Sequence, residues 1–293
     1  MNKISIGILT YNHENYIEKC ILSVLNLKYE NLEIIISDDR SQDKTFDVVK
    51  NIIANSETSH CVILNQNDTN LGLAGNFNKT FNELATGEFL ITLGGDDYLT
   101  VDYIEDALSC FNKDKKIMMI DFTSNLIISD QIVPSTPLDF NEKFFTLQDY
   151  LTTKIISYFA PGRILRRELI SGFPPISVKC PTEDSVLVNR ALLLGKLLRV
   201  NKNVLNYRKH QNNLSSRQNL KLLSNMSIIS QYIKDSLHLY ENNIITDDML
   251  AKLLNRYRYE YEKREIHYSD LNKYKKRFLQ KYLKTMYLIN IKK

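Results

Sequence analysis

The 293-residue chain has few of the features that mark secreted or membrane-spanning proteins. Its four cysteines are scattered, with no paired spacing for zinc or a redox motif, and we therefore expect reduced thiols in a cytoplasmic protein. No apolar run approaches the length of a transmembrane helix. The first residues lead directly into the strand-like run Ile4–Leu9, which is too short for a signal-peptide core. We expect a protein that is neither exported nor integral to a membrane.

The net charge of +4 is unevenly distributed along the chain. From Lys252 onward, thirteen Lys and Arg face four Asp and Glu, which gives this segment +9 and leaves −5 for the rest. Seven tyrosines are interleaved with these cations. Aromatic rings among Lys and Arg are typical of helices that lie on anionic membranes, and we predict peripheral association at the inner face of the cell membrane. The alternative is a helical appendage that packs on the rest of the chain or on the partner in a homodimer. No recognised module indicates a nucleic acid partner, and we expect none.

Strand-like and helix-like segments alternate four times at the start of the chain. The strand-like runs are Ile4–Leu9, Leu32–Ile36, Cys61–Leu64 and Phe89–Leu93. This alternation predicts an α/β fold with a mostly parallel, Rossmann-like sheet flanked by helices. After Ser216 the alternation stops, and apolar residues recur at helical spacing. We therefore divide the chain into a domain over residues 1–216 and an α-helical C-terminal region over residues 217–293.

Two pairs of carboxylates follow strand-like runs of the predicted sheet. They are Asp38-Asp39 and Asp96-Asp97, the second after Gly94-Gly95. The carboxyl ends of parallel strands meet at one edge of the sheet, where ligands bind. Hard oxygen ligands there suit Mg²⁺ or Mn²⁺, with substrate phosphates completing the coordination. Taken alone, each pair could also be a turn that caps the next helix. A response-regulator domain gathers acids in the same way, but it is about half as long and needs a Lys that we cannot identify here.

Several spaced motifs together resemble the inverting GT-A glycosyltransferases of family 2, which build bacterial polysaccharides and lipopolysaccharides. The resemblance covers about residues 3–216. It is carried by the following segments in the family's order: Ile8–Asn12, Ile36–Thr45 (D-D-x-S-x-D-x-T), Asn70–Asn78, Gly94–Tyr98, Thr182–Asp184 with Arg190, and Tyr207–His210 with Ser215.

The resemblance implies roles for residues at these positions. The implied nucleotide-binding residues are Thr10, Tyr11, Asn12, Asp39, Asn76, Asp97 and Arg208. The implied metal ligands for Mn²⁺ or Mg²⁺ are Asp96, Asp97 and His210. The implied catalytic residues are Asp184, as general base on the acceptor hydroxyl, and its neighbour Glu183.

Physical chemistry leaves alternatives open at several of these positions. Tyr11 can stack on a uracil base, or it can be a core aromatic at a strand end. Asp39 can accept a hydrogen bond from the base, whereas Asp38 is better suited to forming the turn. Asp184 and Glu183 could instead cap a helix, and His210 could be structural. Gly94 stands where the family has the first acid of its D-x-D motif, which leaves ribose recognition unassigned.

The resemblance implies an inverting, metal-dependent glycosyltransferase that moves a hexose or N-acetylhexosamine from a nucleotide-sugar, which we predict to be UDP-linked. The acceptor would be a hydroxyl of a growing bacterial surface glycan, such as capsule or O-antigen, or of a lipid-linked molecule. Three arginines, Arg163, Arg166 and Arg167, could contact the acceptor or the diphosphate, or form a solvated cluster. The alternative function is a non-catalytic scaffold of the same fold that binds a nucleotide or a partner.

Overall fold

The structure is a computed structural model, and it describes residues 1–129, 131–134, 138–152, 162–210 and 226–291. Its centre is one sheet, and its strands are numbered β1 to β10 in chain order. Across the sheet they follow the order β3-β2-β1-β4-β9-β6-β10-β5. The first four strands in sequence are β1 (Ile4–Thr10), β2 (Leu32–Asp38), β3 (Cys61–Gln66) and β4 (Phe89–Gly94). All of their mutual pairings are parallel, as the sequence predicts. The apolar runs of β1, β2 and β4 are buried because helices cover both faces, whereas β3, at the edge of the sheet, is partly exposed.

Three helices connect these strands. They are α1 (Ile17–Leu25), α2 (Thr45–Ala54) and α3 (Gly72–Asn78), the last continuing into a wider π-helical segment, Lys79–Leu84. In α1 the buried positions Ile17, Cys20, Ile21 and Val24 follow the helical period. These connections leave the carboxyl ends of β1, β2 and β4 side by side, as the register of the three strands requires.

The second half of the sheet is mixed rather than parallel. Its elements are β5 (Tyr98–Leu99), α4 (Ile104–Lys113), β6 (Ile117–Ile128), β7 (Gln131–Val133), β8 (Glu142–Thr146), α5 (Leu147–Leu151), β9 (Ile164–Arg166), α6 (Glu168–Ser171), α7 (Asp184–Leu194) and β10 (Lys196–Lys209). Strand β9 is antiparallel to both β4 and β6, whereas β10 is parallel to β6. Short β5, β7 and β8 also pair antiparallel. The predicted α/β fold is thus confirmed, and the antiparallel strands are additions that the alternation pattern did not reveal.

The C-terminal helices are α8 (Met226–Glu241), α9 (Asp247–Tyr268) and α10 (Lys273–Ile291). Their presence confirms the predicted helical extension. Ser215 and the boundary at residues 216 and 217 lie outside the described residues, so the division into two domains stays a prediction. No helix in the described ranges is long and apolar enough to cross a membrane.

Helices α8 and α9 share a hydrophobic core with the first part of the chain. Side chains such as Ile229 and Leu253 belong to the same buried cluster as Leu187 of α7. At its centre the guanidinium of Arg190 in α7 donates to Asp235 in α8, with Nε 2.7 Å from Oδ2. Arg190 also donates to the carbonyl oxygens of Leu169 and Pro174. The pair is fully buried, so α7 and α8 are fixed against each other by charge as well as by packing.

We expect Asp235→Ala to lower the free energy of unfolding by about 3–5 kcal/mol, because it leaves the buried guanidinium of Arg190 without its counter-charge. Denaturant titration followed by circular dichroism measures the change. The control is Asp248→Ala, which removes the exposed partner of Lys252 and should cost less than about 1 kcal/mol. Equal effects of the two substitutions would contradict a central role for the Arg190–Asp235 pair.

Candidate functional site

The loops after β1 and β2 are joined by hydrogen bonds at the edge of the sheet. Asn12 adopts a left-handed backbone conformation (φ 56°), its Oδ1 accepts from the amide of Gln42 at 2.8 Å, and its own amide donates to Ser41 Oγ at 2.9 Å. Asp38 is buried and accepts from the Ser41 amide and hydroxyl. Asn12 and Asp38 therefore shape the loops. Between them Tyr11 is left 41% exposed at the mouth of the crevice.

Asp39 is buried at the floor of the crevice. Its Oδ1 accepts from Asn67 Nδ2 at 2.9 Å and from the Leu71 amide at 2.8 Å. Within the described chain Oδ2 receives no hydrogen bond, which leaves one carboxylate oxygen for a ligand. Asn76 lies behind it, with Oδ1 accepting from Ser37 and Asn67 and Nδ2 donating to the Ser37 carbonyl. Asn76 is itself buried, so these bonds make it part of the support beneath the crevice.

The turn after β4 brings Asp96 against the loop of β1. The Gly95 amide donates to the Leu9 carbonyl at 2.9 Å. A Cβ at Gly95 would lie 2.7 Å from Thr10 Oγ1 and 2.8 Å from His13 Nδ1, so this close approach requires glycine. Thr10 is buried, with Oγ1 at 3.1 Å from His13 Nδ1. Burial lowers the pKa of His13. Thr10 and His13 together form the wall beside Asp96.

Asp96 contacts His210, which follows β10 directly. The Asp96 Oδ2 and His210 Nε2 atoms are 2.9 Å apart. Burial alone would raise the pKa of Asp96, but the hydrogen bond from His210 and the charges of His13 and His210 outweigh it and lower that pKa. Asp96 is therefore held as a carboxylate, and two residues that are 114 positions apart in sequence meet at one point.

Tyr16, in the turn before α1, supports this contact from the side. Its ring stacks on His210, with the centroids 5.4 Å apart and the planes at 17°. The guanidinium of Arg208 lies over the same ring at 4.7 Å and donates from Nε to the Asp96 carbonyl at 3.3 Å. Stacked and cation–π contacts of this kind fix the orientation of both side chains. Sequence reasoning missed Tyr16 and His13, because only the fold brings them to the ends of β4 and β10.

Asp97 lies deeper than Asp96. Its Oδ1 accepts from the Arg208 amide at 2.8 Å, which ties the turn after β4 to the end of β10. Burial raises the pKa of Asp97 well above its ordinary value, and the charges of Asp96 and Asp184 act in the same direction against Arg208. The charge of Asp184 acts on Asp97, so the start of α7 lies near the turn after β4.

Asp184 is the first residue of α7, and a chain of buried charges lies behind it. Arg163 Nη1 is 3.2 Å from Asp184 Oδ1, and Arg163 Nε is 3.4 Å from Asp121 Oδ1 in β6. Arg199 in β10 reaches the other oxygen of Asp121 at 3.1 Å. Arg163 and Asp121 are fully buried, whereas the Asp184 side chain remains 29% exposed. Burial raises the pKa of Asp184, and Arg163 opposes this shift.

Glu183 differs from its neighbour Asp184 in both exposure and protonation. It is only 8% exposed, and its Oε2 is buried without a hydrogen bond from the described residues. Burial, with the charge of Asp184, raises the pKa of Glu183 to about 8. At neutral pH Glu183 is therefore mainly protonated, and Asp184 is the more exposed carboxyl group of the pair.

The three arginines of the Arg163–Arg167 segment do not form a solvated cluster. Arg163 is buried between carboxylates, as described above. Arg166 donates to the carbonyl oxygens of Ile117 and Phe111, and Arg167 donates to that of Gly87. These bonds hold β9 and the residue after it in the fold. The solvated interpretation was wrong because backbone carbonyls at the ends of α4 and β6 need donors.

The side chains around Asp96 are of the chemical types that bind a divalent metal. Carboxylate and imidazole are ligands that Mn²⁺ accepts, and Asp96 Oδ1 lies over Gly94, where a Cβ would be only 2.8 Å away. A side chain at Gly94 would therefore collide with Asp96 in this arrangement. The described part of the chain has no cluster of three or more His, Cys, Asp or Glu side chains suited to hold a metal. Asp96 and His210 fit such an ion only with additional ligands, which phosphate oxygens can supply.

Comparisons with known proteins agree with this architecture. Residues 5–172 match the family described as Glycosyl transferase family 2. This match ends before Glu183, Asp184, Arg208 and His210. The crystal structure of S. aureus TarS 1-349 in complex with UDP-GlcNAc aligns with a TM-score of 0.66 at 20% identity, over 91% of this chain and 73% of that one. The GT-A fold predicted from sequence is thereby confirmed.

Two relatives act in bacterial glycan synthesis according to their names. Hyaluronan synthase of Pasteurella multocida is 28% identical over 215 residues, which are 73% of this chain and 21% of that protein. The GalNAc(5)-diNAcBac-PP-undecaprenol beta-1,3-glucosyltransferase of Campylobacter jejuni is 39% identical over 99 residues, which are 34% of this chain and 31% of that protein. The chain thus spans about a fifth and about a third of the lengths of these two relatives.

We predict that Glu183→Gln removes a pH-dependent loss of stability. The native state holds the Glu183 proton up to about pH 8, whereas an unfolded chain releases it near pH 4.5, so wild-type stability falls as pH rises through this window. The stability advantage of Glu183→Gln over wild type should therefore grow between these pH values, as measured by urea titrations across the window. Glu18→Gln, which changes an exposed carboxylate on α1, is the control. A difference from wild type that is the same at every pH would contradict the prediction.

Proposed function

The chain belongs to glycosyl transferase family 2, and from this premise we propose that it is an inverting transferase that uses a UDP-linked sugar. The sugar would pass to a hydroxyl of a bacterial surface glycan or of a lipid-linked acceptor. The observation that carries the proposal is the arrangement of Asp184. Its carboxylate borders the crevice and is held at 3.2 Å by the buried Arg163.

Inversion needs one base and one stabilised leaving group, because the acceptor oxygen displaces the nucleoside diphosphate in a single step. We assign the base to Asp184. A moderately raised pKa suits a general base, and the fixed contact with Arg163 holds the carboxylate in one orientation. Glu183 suits this role less, since it is more buried and carries a proton at neutral pH.

The nucleotide would lie across the carboxyl ends of β1, β2 and β4. Tyr11 offers an exposed ring for stacking on the base, and the remaining oxygen of Asp39 could accept from the uracil N–H. Thr10, Asn12 and Asn76 would act indirectly, by holding the loops and the floor of the crevice. UDP-GlcNAc in the TarS complex supports the choice of a UDP-linked donor.

Enzymes of this family and fold generally depend on a divalent metal. Asp96 and His210 would hold Mn²⁺ or Mg²⁺ together with the donor diphosphate, and the ion would supply Lewis-acid stabilisation of the departing nucleoside diphosphate. Asp97 stands behind Asp96 and would position the turn through the Arg208 amide. The Arg208 guanidinium lies beside Asp96 and adds positive charge on the same side of the crevice.

A non-catalytic scaffold that binds a nucleotide is the second candidate function. It would explain the buried charges behind Asp184 as structural ion pairs, which also perturb pKa values. The two functions differ in whether loss of the Asp184 charge affects turnover or only stability.

We expect Asp184→Asn to lower UDP release from the best UDP-sugar of a hydrolysis panel by about 10²–10⁴-fold, because the base is removed while the shape is kept. Titration calorimetry with UDP and Mn²⁺ should give nearly unchanged affinity for Asp184→Asn and a loss of metal-dependent affinity for Asp96→Ala. Asp47→Asn, at an exposed position of α2, is the control for both assays. The scaffold would be favoured if wild type binds UDP but turns over no donor, and if Asp184→Asn changes neither UDP binding nor turnover.

Helix α10 supports peripheral membrane association. Side chains four residues apart, Tyr274, Phe278, Tyr282 and Met286, form an exposed apolar stripe, of which Tyr274 is 85% and Phe278 70% exposed. The opposite face is anchored, since Tyr287 is buried, stacks on Tyr259 and donates to the Leu151 carbonyl. The helix carries six Lys and Arg and no Asp or Glu. A basic helix with an unburied aromatic stripe suits an anionic lipid surface.

We expect Phe278→Ser to reduce binding to vesicles of phosphatidylcholine and phosphatidylglycerol about tenfold, because the substitution removes one large apolar side chain from the stripe. Sedimentation with these vesicles measures the partition, which should also fall with salt and with omission of phosphatidylglycerol. Leu22→Ser, at an exposed apolar position of α1, is the matched control. Unchanged partitioning of Phe278→Ser would leave a protein partner or a second copy as the occupant of the stripe.

A further inference from the structure

A cavity of about 230 Å³ lies among the helices, away from the crevice at the carboxyl ends of the strands. Side chains of α5, α7, α8, α9 and α10 line it. The volume corresponds to about eight water molecules at ~30 Å³ each, which is enough for a small polar group and its hydration. Neither the proposed base nor the proposed metal ligands contribute to this lining.

Arg256 of α9 is the central charged group of the cavity. It is 1% exposed, and its guanidinium lies 4.4 Å from the ring of Tyr150 and 5.0 Å from that of Tyr259. Nη2 donates to Glu260, one helical turn further on. Nε and Nη1 are buried and make no geometrically good hydrogen bond with the described residues, although Arg256 lies close enough to Tyr287 to lower the pKa of its hydroxyl against the effect of burial. A buried charged donor without a well-placed acceptor is unfavourable, so these two nitrogens indicate an acceptor that the described residues do not supply.

A second unsatisfied group reaches the cavity from another helix. Ser185 in the first turn of α7 is 5% exposed, and its Oγ is likewise buried without a hydrogen bond from the described chain. Ser185 and Arg256 both line the cavity. A ligand with several acceptor oxygens would satisfy the hydroxyl and the guanidinium at once.

The charge of the lining favours an anion. Lys263, Arg264 and His267 follow Arg256 on the same face of α9, two to three helical turns further along. Glu260 is the one acidic side chain among the lining residues and is bound to Arg256. Among the described lining residues, Arg256, Lys263 and Arg264 oppose the single carboxylate of Glu260, which gives these four side chains a net charge of +2.

We propose that this cavity is a binding site for a phosphate-type oxyanion. Arg256 and Ser185 would donate to the oxyanion from the inner wall, and Lys263 and Arg264 would neutralise it at the entrance. The oxyanion could belong to a soluble phosphorylated molecule or to a phospholipid headgroup. A headgroup is included because Gln280 of α10, the helix that we propose to lie on a membrane, also lines the cavity. Binding itself does not depend on the proposed glycosyl transfer. An effect of the ligand on Asp184, which directly precedes Ser185, rests on the proposed function.

Titration of the full chain with inorganic phosphate tests the site, with UDP and Mg²⁺ present to fill the crevice and chloride at matched ionic strength as reference. We expect saturable binding that Lys263→Ala weakens about tenfold and Ser185→Ala about two- to tenfold. Ser185→Ala removes an unsatisfied hydroxyl, so it should fold at least as well as wild type without phosphate. Arg258→Ala, which removes a 76% exposed cation of the same helix, is the matched control and should bind like wild type.

Two outcomes would overturn the site. One is wild-type binding of phosphate that does not exceed the chloride reference. The other is saturable binding that both Lys263→Ala and Ser185→Ala leave unchanged, which would locate the anion elsewhere.

Competition with phosphatidylglycerol vesicles then separates the two possible sources of the oxyanion. Displacement of phosphate by vesicles supports a lipid headgroup, and its absence alongside saturable binding supports a soluble phosphorylated ligand. Loss of turnover in Asp184→Asn leaves each of these results intact, so the two proposals can fail separately.

Discussion

The buried guanidinium of Arg163 joins the parts of the chain that the site requires. It contacts Asp121 in β6 and Asp184 at the start of α7, and it follows Gly162, whose amide donates to Thr92 in β4. Charges buried to this degree are tolerated only when each has a partner in good geometry. The position of Asp184 relative to the sheet is therefore tied to ion pairs, and a shift of α7 would separate Arg163 from one of its two carboxylate partners.

The crevice combines Asp184, which Arg163 holds in place, with side chains from the ends of the strands. Asp96 and Asp97 come from the turn after β4, and His210 comes from the end of β10. Burial and mutual repulsion raise the pKa of Asp97, while two histidines lower that of Asp96. Two adjacent carboxyl groups thus have pKa values shifted in opposite directions because their neighbours differ. This asymmetry suits a site in which Asp96 supplies charge to a ligand and Asp97 supplies structure.

The local parts of the fold could be predicted from sequence, and the long-range parts could not. The apolar runs of β1 to β4 and the carboxylates after them are patterns within a few residues, so the parallel half of the sheet and the candidate Asp39 and Asp96 were accessible. Strand β9 is only three residues long, and its pairing with β4 and β6 is a tertiary property. Tyr16 and His13 were missed for the same reason, because a single aromatic or imidazole before a helix has no pattern of its own.

The C-terminal helices show where periodicity misleads. An apolar stripe at helical spacing predicts a buried face, and in α8 the buried Ile229 and Tyr232 follow this rule. In α10 the stripe that contains Tyr274 and Phe278 points away from the core, and the anchored face is marked instead by Tyr287. Periodicity reports that a face is apolar but not what covers it. Helices α8 and α9 cover the side of α7, so the apolar face of α10 stays exposed among the described residues, beside the six cations of the same helix.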